Sequence, residues 1–130
     1  MGFPRREIVE KIKADFPPGT RIVLTHMDDP QAPPKGTKGT VQFVDDTGTI
    51  HPNWDGGGSL GIVYGEDSCR KVDPVTVTCY GQTEEWEDRE DAIRFYKEAF
   101  EGCDPNSHEH LRYITIWDAL VAGEKECSDE

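Results

Sequence analysis

Basic residues are scarce in this chain. In 130 residues there are 14 Lys and Arg against 26 Asp and Glu, and the formal net charge is −12. Proteins that bind nucleic-acid phosphates or anionic membranes without sequence specificity need a surface rich in Lys and Arg. The composition therefore argues against direct nucleic-acid binding and against a membrane partner. A protein with a basic face is the complementary partner.

Long apolar runs are also missing. No stretch approaches the roughly 18 apolar residues that a membrane-spanning helix requires, and no apolar segment typical of a signal peptide follows the N-terminal basic pair. We therefore expect a cytoplasmic protein. The four cysteines are far apart and form no CxxC pair. In that compartment we expect reduced, structural thiols.

Motifs that would identify a reaction are absent as well. The glycines 56–58 lack the Lys and Ser/Thr ending of a phosphate loop and precede a strand pattern, which is typical of a hairpin turn. Cys103, His108 and His110 stand close together, but their spacing is not a recognised zinc pattern. No nucleophile elbow is present. We expect no catalytic residues, no metal, no cofactor and no enzymatic activity.

Twelve Phe, Tyr and Trp side chains are nevertheless available for a core. The periodicity predicts an α+β fold: an N-terminal helix in residues 1–16 that begins near Pro4, a small SH3-like five-stranded β-barrel in residues 17–74, and an acidic β-α-α unit in residues 75–130. The predicted barrel strands are residues 21–27, 39–44, 49–54, 59–64 and 69–72.

The C-terminal unit is predicted from one strand and two helices. Residues 75–80 read as a strand, and residues 84–87 are placed to pair back on it. Asp88 and Ser107 are the expected N-caps of the two helices, and Gly123 is the expected end of the second. An exposed strand edge at residues 76–80 and an apolar helix face at residues 93–100 leave room for a homodimer.

Three segments of the first half resemble a bacterial family. They are PPGTRIVL, MDDPQAPPKGTKGTV and VDDTGTIHPNWDGGGSLGIVYGED, all within residues 17–72. These segments are similar to the domain-of-unknown-function family 4314, which is found in small accessory proteins of phages, plasmids and conjugative elements of gut Firmicutes. The resemblance implies a mobile-element setting and an SH3-like fold. It implies no catalytic residues.

Two places in the first half are candidates for partner binding. Asp28 and Asp29 open a long loop, and loops of this length are often functional. Trp54 ends a strand, where an indole ring can be half exposed. Two alternatives stay open: the loop could serve only as a cover over the barrel end, and Trp54 could fill the core. Phe43 is expected in the core.

The acidic residues of the second half are the other candidate. Residues 76–130 carry 5 Lys or Arg and 15 Asp or Glu, whereas residues 1–75 carry 9 and 11. Spacings of four and seven suggest that Glu87, Asp91 and Glu98 follow one helical stripe. The alternative is an ordinary solubilising face. The predicted partner-binding acids are Glu84, Glu85, Glu87, Asp88, Asp91 and Glu98.

Charge and family setting together suggest an inhibitor. Spaced carboxylates can occupy a groove built for nucleic-acid phosphates, so the hypothesis is an acidic anti-CRISPR or antirestriction protein bound to a CRISPR effector or another nuclease. The alternative is an accessory protein that binds RNA or DNA through the barrel. That alternative requires five basic residues to cluster on one barrel face: Arg21, Lys35, Lys38, Arg70 and Lys71.

Overall fold

The computed structural model describes residues 5–130, which fold as a mixed α+β protein of two compact units, residues 5–71 and 72–130. The predicted helix start near Pro4 lies outside the described residues. The elements of the first unit are α1 (Arg6–Asp15), β1 (Arg21–His26), β2 (Lys38–Val44), β3 (Ile50–Trp54) and β4 (Ser68–Lys71). Those of the second are β5 (Val75–Cys79), β6 (Gln82–Trp86), α2 (Arg89–Glu101), α3 (His108–Val121) and β7 (Glu126–Ser128).

The first unit contains an antiparallel sheet with the strand order β3-β2-β1-β4. Alternation along β1 sends Ile22 and Leu24 into the core, because successive side chains of a strand point to opposite faces. Ile12 of α1 packs against this core. Its buried members are Ile22, Leu24, Val41, Ile50, Trp54 and Ile62.

The predicted strand at residues 59–64 does not form, and within the described residues the sheet does not close into a barrel. Ile50 and Ile62 exchange two backbone hydrogen bonds, of 3.0 and 2.8 Å, as an isolated bridge. Two residues along, the partner of Leu60 is Pro52, which has no N–H to donate. The Leu60 carbonyl accepts the indole N–H of Trp54 instead, at 3.0 Å. Pro52 thus ends the ladder of backbone hydrogen bonds, although the alternation of residue types in the sequence continues beyond this point.

The second unit has a three-stranded sheet with the order β6-β5-β7, in which β5 pairs antiparallel with β6 and parallel with β7. The expected free edge at residues 76–80 is therefore wrong, because β5 is the central strand. The apolar stripe of α2 is not free either, since Ala92 and Tyr96 are buried in the core. Both surfaces that left room for a homodimer are covered within the chain.

Strand β7 was not predicted, because three residues with one apolar side chain carry no periodicity. Its position depends on tertiary contacts. The Asp129 carboxylate, only 3% exposed, accepts a guanidinium N–H of Arg112 at 2.6 Å and the backbone N–H of Tyr80 at 3.0 Å. The Arg112 guanidinium lies over the Tyr80 ring, 4.6 Å from its centroid. A helix and a hairpin turn thus hold the chain end beside β5.

The helices end largely where the capping residues predict. The Ser107 hydroxyl accepts the backbone N–H of His110 at 3.1 Å, which confirms it as the N-cap of α3. Gly123 adopts a φ of +93° after α3, as a glycine that terminates a helix does. Among the described residues, no helix combines the length and the apolar composition needed to cross a membrane.

Candidate functional site

A cleft of about 630 Å³ lies in the first unit, between the proline-containing loop and the segment after β3. One wall comes from the loop, with Pro33 and Pro34, and the other from residues 56–61. His51 also lines the cleft. The full lining is Gln31, Pro33, Pro34, Thr37, His51, Trp54, Gly56, Gly57, Gly58, Ser59, Leu60 and Gly61. None of these residues is Lys, Arg, Asp or Glu.

Trp54 is a core residue with one edge at this cleft. It is only 3% exposed, so the prediction of a half-exposed ring is wrong. Its indole N–H is bonded to the Leu60 carbonyl. A Cβ added at Gly39 would lie 2.8 Å from Cε3 of Trp54, so the backbone of β2 passes directly against the ring. The ring therefore contacts both β2 and the segment that contains Leu60.

The acidic pair of the loop comes three and two residues before Gln31, which lines the same cleft. Asp28 and Asp29 are exposed, as expected for partner-binding residues. The Asp29 carboxylate accepts the backbone N–H of Gln31 at 2.7 Å, and the Asp29 carbonyl accepts that of Ala32 at 3.0 Å. These local bonds give the loop a defined turn next to the cleft lining.

His51 forms part of a small polar cluster at the other side. Its Nε2 lies 2.7 Å from a carboxylate oxygen of Asp45. Burial acts to raise the pKa of Asp45, but hydrogen bonds from Thr47, His51 and Thr49 outweigh it and hold that pKa well below its usual range. The ring of Phe43 stacks on His51 at 4.5 Å. Phe43 is 51% exposed, so its expected core position is wrong.

Only some of the basic residues of the first unit lie on one face of its sheet. The register places Lys38 and Arg70 on either side of Val23, on the sheet face that Arg21 shares. Arg21 forms a two-pronged ion pair with Asp55, at 2.6 and 2.7 Å. Lys71 pairs with Ile22 in the register and therefore points to the opposite face, where it lies over the Phe16 ring.

In the second unit, the strand β6 divides the predicted acids between two faces. Glu84 pairs in register with Val77, whose side chain is buried against the helices, so Glu84 belongs to the helix side of the sheet. Glu85 pairs with Thr76 and belongs to the other side. Both carboxylates are exposed. Adjacent positions in the sequence therefore reach different surfaces.

Aromatic contacts mark the helix side. Trp86 is on the same face of β6 as Glu84, and its ring lies 5.4 Å from that of Phe95 on α2. Phe95 is 52% exposed. Asp91 and Glu98 are four residues before and three residues after Phe95, on the same helical face. We call this surface the acidic aromatic patch: Glu84, Trp86, Asp91, Phe95 and Glu98.

Trp86 and Phe95 are the two residues of this patch that the sequence analysis does not assign to partner binding. Phe95 stands beside the apolar stripe of α2, between Arg94 and Tyr96. An aromatic residue off the apolar stripe of an otherwise charged helix is the signal that could have identified it. Asp91 also forms an ion pair with Arg94, which partly offsets its charge.

Asp88 and Glu87 do not join the patch as predicted. Asp88 is 1% exposed, and its carboxylate accepts the backbone N–H of Asp73 at 2.9 Å. It occupies the N-cap position of α2 but makes no side-chain cap bond there. Its assignment to partner binding is wrong, because a buried carboxylate is inaccessible. Glu87 is exposed but precedes the helix, so the Glu87–Asp91–Glu98 stripe retains only its last two members.

The thiols and histidines of the second unit form no evident ligand set. Within residues 5–130, no group of three or more His, Cys, Asp or Glu side chains is arranged to hold a metal ion. His110 Nδ1 lies 2.8 Å from the Phe100 carbonyl. Burial raises the pKa of the Cys69 thiol in the first unit to about 11, and burial also raises the pKa values of Cys79 and Cys127.

Comparison with known proteins assigns the first unit. The family model described as "Domain of unknown function (DUF4314)" matches residues 5–72, just over half of the chain. This match confirms the family resemblance of residues 17–72 and covers the cleft, but not the acidic aromatic patch. No curated protein matches the chain.

Proposed function

The chain belongs to the DUF4314 family, whose description names no activity, and we propose that it is a non-enzymatic protein-binding module. In the form we favour, it is a cytoplasmic inhibitor of the anti-CRISPR or antirestriction type, carried by a mobile element. Its acidic second unit docks on the basic nucleic-acid-binding surface of a nuclease, such as a CRISPR effector.

The observation that carries this proposal is the acidic aromatic patch. Phe95 exposes half of its ring while it rests on Trp86, so it offers a large apolar contact that is already held in place. Protein interfaces concentrate their binding energy in such aromatic anchors and surround them with charged rims. Glu84, Asp91 and Glu98 supply a rim of one sign.

Charge supports the choice of partner. Residues 76–130 carry a net charge of −10 and residues 1–75 a net charge of −2. A surface built for nucleic-acid phosphates is positively charged, and complementary fields accelerate association and select the partner. An aromatic anchor within an acidic rim fits such a surface better than it fits a nucleic acid.

The first unit supports the proposal as a binding scaffold. We propose that it is an open relative of the SH3-like barrel, with residues 58–62 in the place of a fifth strand. Four antiparallel strands and the Ile50–Ile62 bridge support this fold assignment. The raised pKa values of the Cys69, Cys79 and Cys127 thiols argue against these three cysteines as nucleophiles, because a cysteine nucleophile acts as the thiolate.

Charge reversal on the two faces of β6 tests the proposal. We expect Glu84→Lys to weaken binding to the nuclease about tenfold or more, because a like charge then faces a basic surface. The probe is a panel of purified CRISPR effectors and restriction endonucleases. Affinity is measured by calorimetry, and inhibition is measured as residual DNA cleavage.

Glu85→Lys is the matched control, because it makes the same change in net charge on the adjacent residue of the same strand. Its effect should be less than threefold. Equal losses from the two variants would show that only net charge matters and would contradict a defined patch. A panel in which the wild-type protein neither binds nor inhibits any nuclease would overturn the proposal.

Removal of the aromatic anchor gives a second, independent test. We expect Phe95→Ala to weaken nuclease binding roughly thirtyfold, the size typical of an interface hot spot, while the unfolding midpoint changes little. The control is Leu111→Ala on α3, where the side chain is 62% exposed. If the two alanine variants bind equally well, Phe95 is not the anchor.

The second candidate, nucleic-acid binding through the first unit, has one observation in its favour. Lys38, Arg70 and Arg21 share a sheet face. The Arg21–Asp55 ion pair reduces the charge of that face, and Lys71 is on the other. A salt titration with duplex DNA and with RNA separates the candidates. Tight binding at moderate salt, lost in Lys38→Glu, would favour the second and contradict the inhibitor.

A further inference from the structure

Residues 58–61 run beside β3 as an irregular segment outside the four strands of the first sheet, and we call the side of this segment away from β3 the free edge. Gly58, Leu60 and Ile62 turn their backbone groups toward β3: the Gly58 carbonyl accepts the N–H of Trp54, Leu60 accepts its indole N–H, and Ile62 pairs with Ile50. The backbone groups of Ser59 and Gly61 take part in none of these bonds to β3.

In the part of the chain that the structure describes, the backbone N–H and C=O of Ser59 and Gly61 make no hydrogen bond. Two residues after Gly61, Val63 donates its N–H to the Asp67 carboxylate at 2.9 Å, so the free edge ends there. Sheet edges are normally blocked by charge, proline or a cover. Residues 58–62 contain neither proline nor a charged residue.

The free edge is at the cleft. Ser59 and Gly61 both line it, and the prolines 33 and 34 form the opposite wall. Its volume of about 630 Å³ is within the usual range for ligand sites. The lining offers backbone donors and acceptors, apolar surface and no charged side chain. Uncharged, extended main chain is the ligand that this combination matches.

We propose that the cleft binds an extended peptide segment of a partner protein. The peptide adds as a strand along Ser59 and Gly61, which exchange hydrogen bonds with its main chain, as in other cases of strand addition. Asp28 and Asp29 are exposed just before Gln31, which lines the cleft, and the Asp29 carboxylate accepts the Gln31 N–H. They select a basic residue at one end of an otherwise uncharged segment.

Charge separates this occupant from a second copy of the same chain. The edge strand β6 carries the exposed Glu84 and Glu85, which would meet Asp28 and Asp29 as like charges. The net charge of −12 opposes self-association as well. A foreign segment with a basic flank meets neither repulsion. This inference concerns the first unit and does not rest on the acidic aromatic patch.

Selection from a displayed library of random twelve-residue peptides tests the inference. The bait is the full chain, and the counter-selection uses Ser59→Pro, which removes the backbone N–H at that position. Ser59→Ala is the matched control, because it keeps the N–H and removes only the hydroxyl. We expect peptides with an uncharged centre and a Lys or Arg flank that bind wild type and Ser59→Ala at least tenfold more tightly than Ser59→Pro.

Amide hydrogen exchange of the wild-type protein gives a readout that needs no variant. With a selected peptide at about ten times its Kd, exchange at Ser59 and Gly61 should slow roughly tenfold, since only the free fraction exchanges. Three results would overturn the inference: no enriched peptide, protection confined to the acidic aromatic patch, or protection at Ser59 that rises with protein concentration alone, which would identify a second copy as the occupant.

Discussion

Replacing Trp54 by alanine should destabilise the first unit by about 3–5 kcal/mol, the cost of deleting a large buried aromatic side chain. The ring is at the centre of the core and is 3% exposed. Its loss leaves a cavity against Val41, Ile50 and Ile62 and removes the donor of the Leu60 carbonyl. We expect faster amide exchange throughout β1, β2 and β3, measured by NMR.

Two further variants separate the contributions. Trp54→Phe keeps an aromatic ring and loses the indole N–H, so it should cost less, about 1–3 kcal/mol. Gly39→Ala alone should be strongly destabilising, because its Cβ would lie 2.8 Å from the Trp54 ring. Combined with Trp54→Ala, the same glycine change should cost less, since the ring is gone and only the Asn53 carbonyl oxygen, 3.1 Å from the added Cβ, still crowds it.

A different result would restore the original hypothesis for this residue. If Trp54→Ala keeps the exchange pattern of the wild-type protein and instead loses a binding partner, the ring acts at the surface. The second unit serves as an internal reference, because Trp86 and Trp117 remain to report its folding by fluorescence.

Hydrophobic periodicity was sufficient for most of the secondary structure. The helices at residues 89–101 and 108–121 follow apolar spacings of three and four, and Ser107 and Gly123 act at the two ends of the second of these helices as capping chemistry predicts. The alternation also continues through residues 59–64, where no strand forms. The cause lies in Pro52, on the neighbouring strand, and a one-dimensional pattern does not contain that pairing partner.

The candidate site could be predicted less well than the fold. A count of acidic residues leads to the region of the proposed patch but treats Glu84, Glu85 and Asp88 alike. The strand register places Glu84 and Glu85 on opposite faces of the sheet, and burial makes Asp88 inaccessible to a partner. Phe95 became evident only once its ring was placed on Trp86. The sequence contains the charges, whereas the faces on which they act depend on β6 pairing with β5.

Arg89 connects three parts of the second unit. Its side chain is 12% exposed. Its Nε donates to the Asp73 carboxylate at 2.7 Å, and its Nη1 donates to the carbonyls of Leu120 and Glu124 at 2.7 and 2.9 Å. Nη2 reaches the Gly123 carbonyl at 3.2 Å. One guanidinium thus satisfies the end of α3 and anchors the segment before β5.

The Arg89 guanidinium is stabilised by the end of the neighbouring helix α3, whereas the start of its own helix α2 disfavours a cation. Arg89 is the first residue of α2, where the helix dipole disfavours positive charge. Its guanidinium extends instead to the C-terminal end of α3, where the dipole favours a cation and where the last turn contains no basic residue of its own. The pKa of Asp73 is lowered by Lys125 and by Arg89, so that carboxylate stays ionised beside them.

Arg89→Met should therefore destabilise the second unit by about 2–4 kcal/mol, since it leaves three carbonyls at the end of α3 without their charged donor. This loss of stability is smaller than that expected for a carboxylate left with no cation beside it, because Lys125 still pairs with Asp73. Urea unfolding monitored by far-UV circular dichroism gives the value. Arg89→Lys should recover little, because one ammonium group does not reproduce the planar fork.

Arg94→Met is the matched control on the same helix. Its side chain is 65% exposed and, among the described residues, pairs with Asp91 alone, so its loss should change stability by less than about 0.5 kcal/mol.

Acid provides a second readout for Arg89→Met. Because the folded pKa of Asp73 is lowered, its ionisation contributes stability above its unfolded pKa, and that stability is lost as the pH falls through the folded pKa. Arg89→Met raises the folded pKa toward the unfolded value, so the variant should lose less stability on acidification than the wild-type protein. If the acid profile of Arg89→Met is unchanged and its loss of stability equals that of Arg94→Met, the carbonyls at the end of α3 do not need the Arg89 guanidinium.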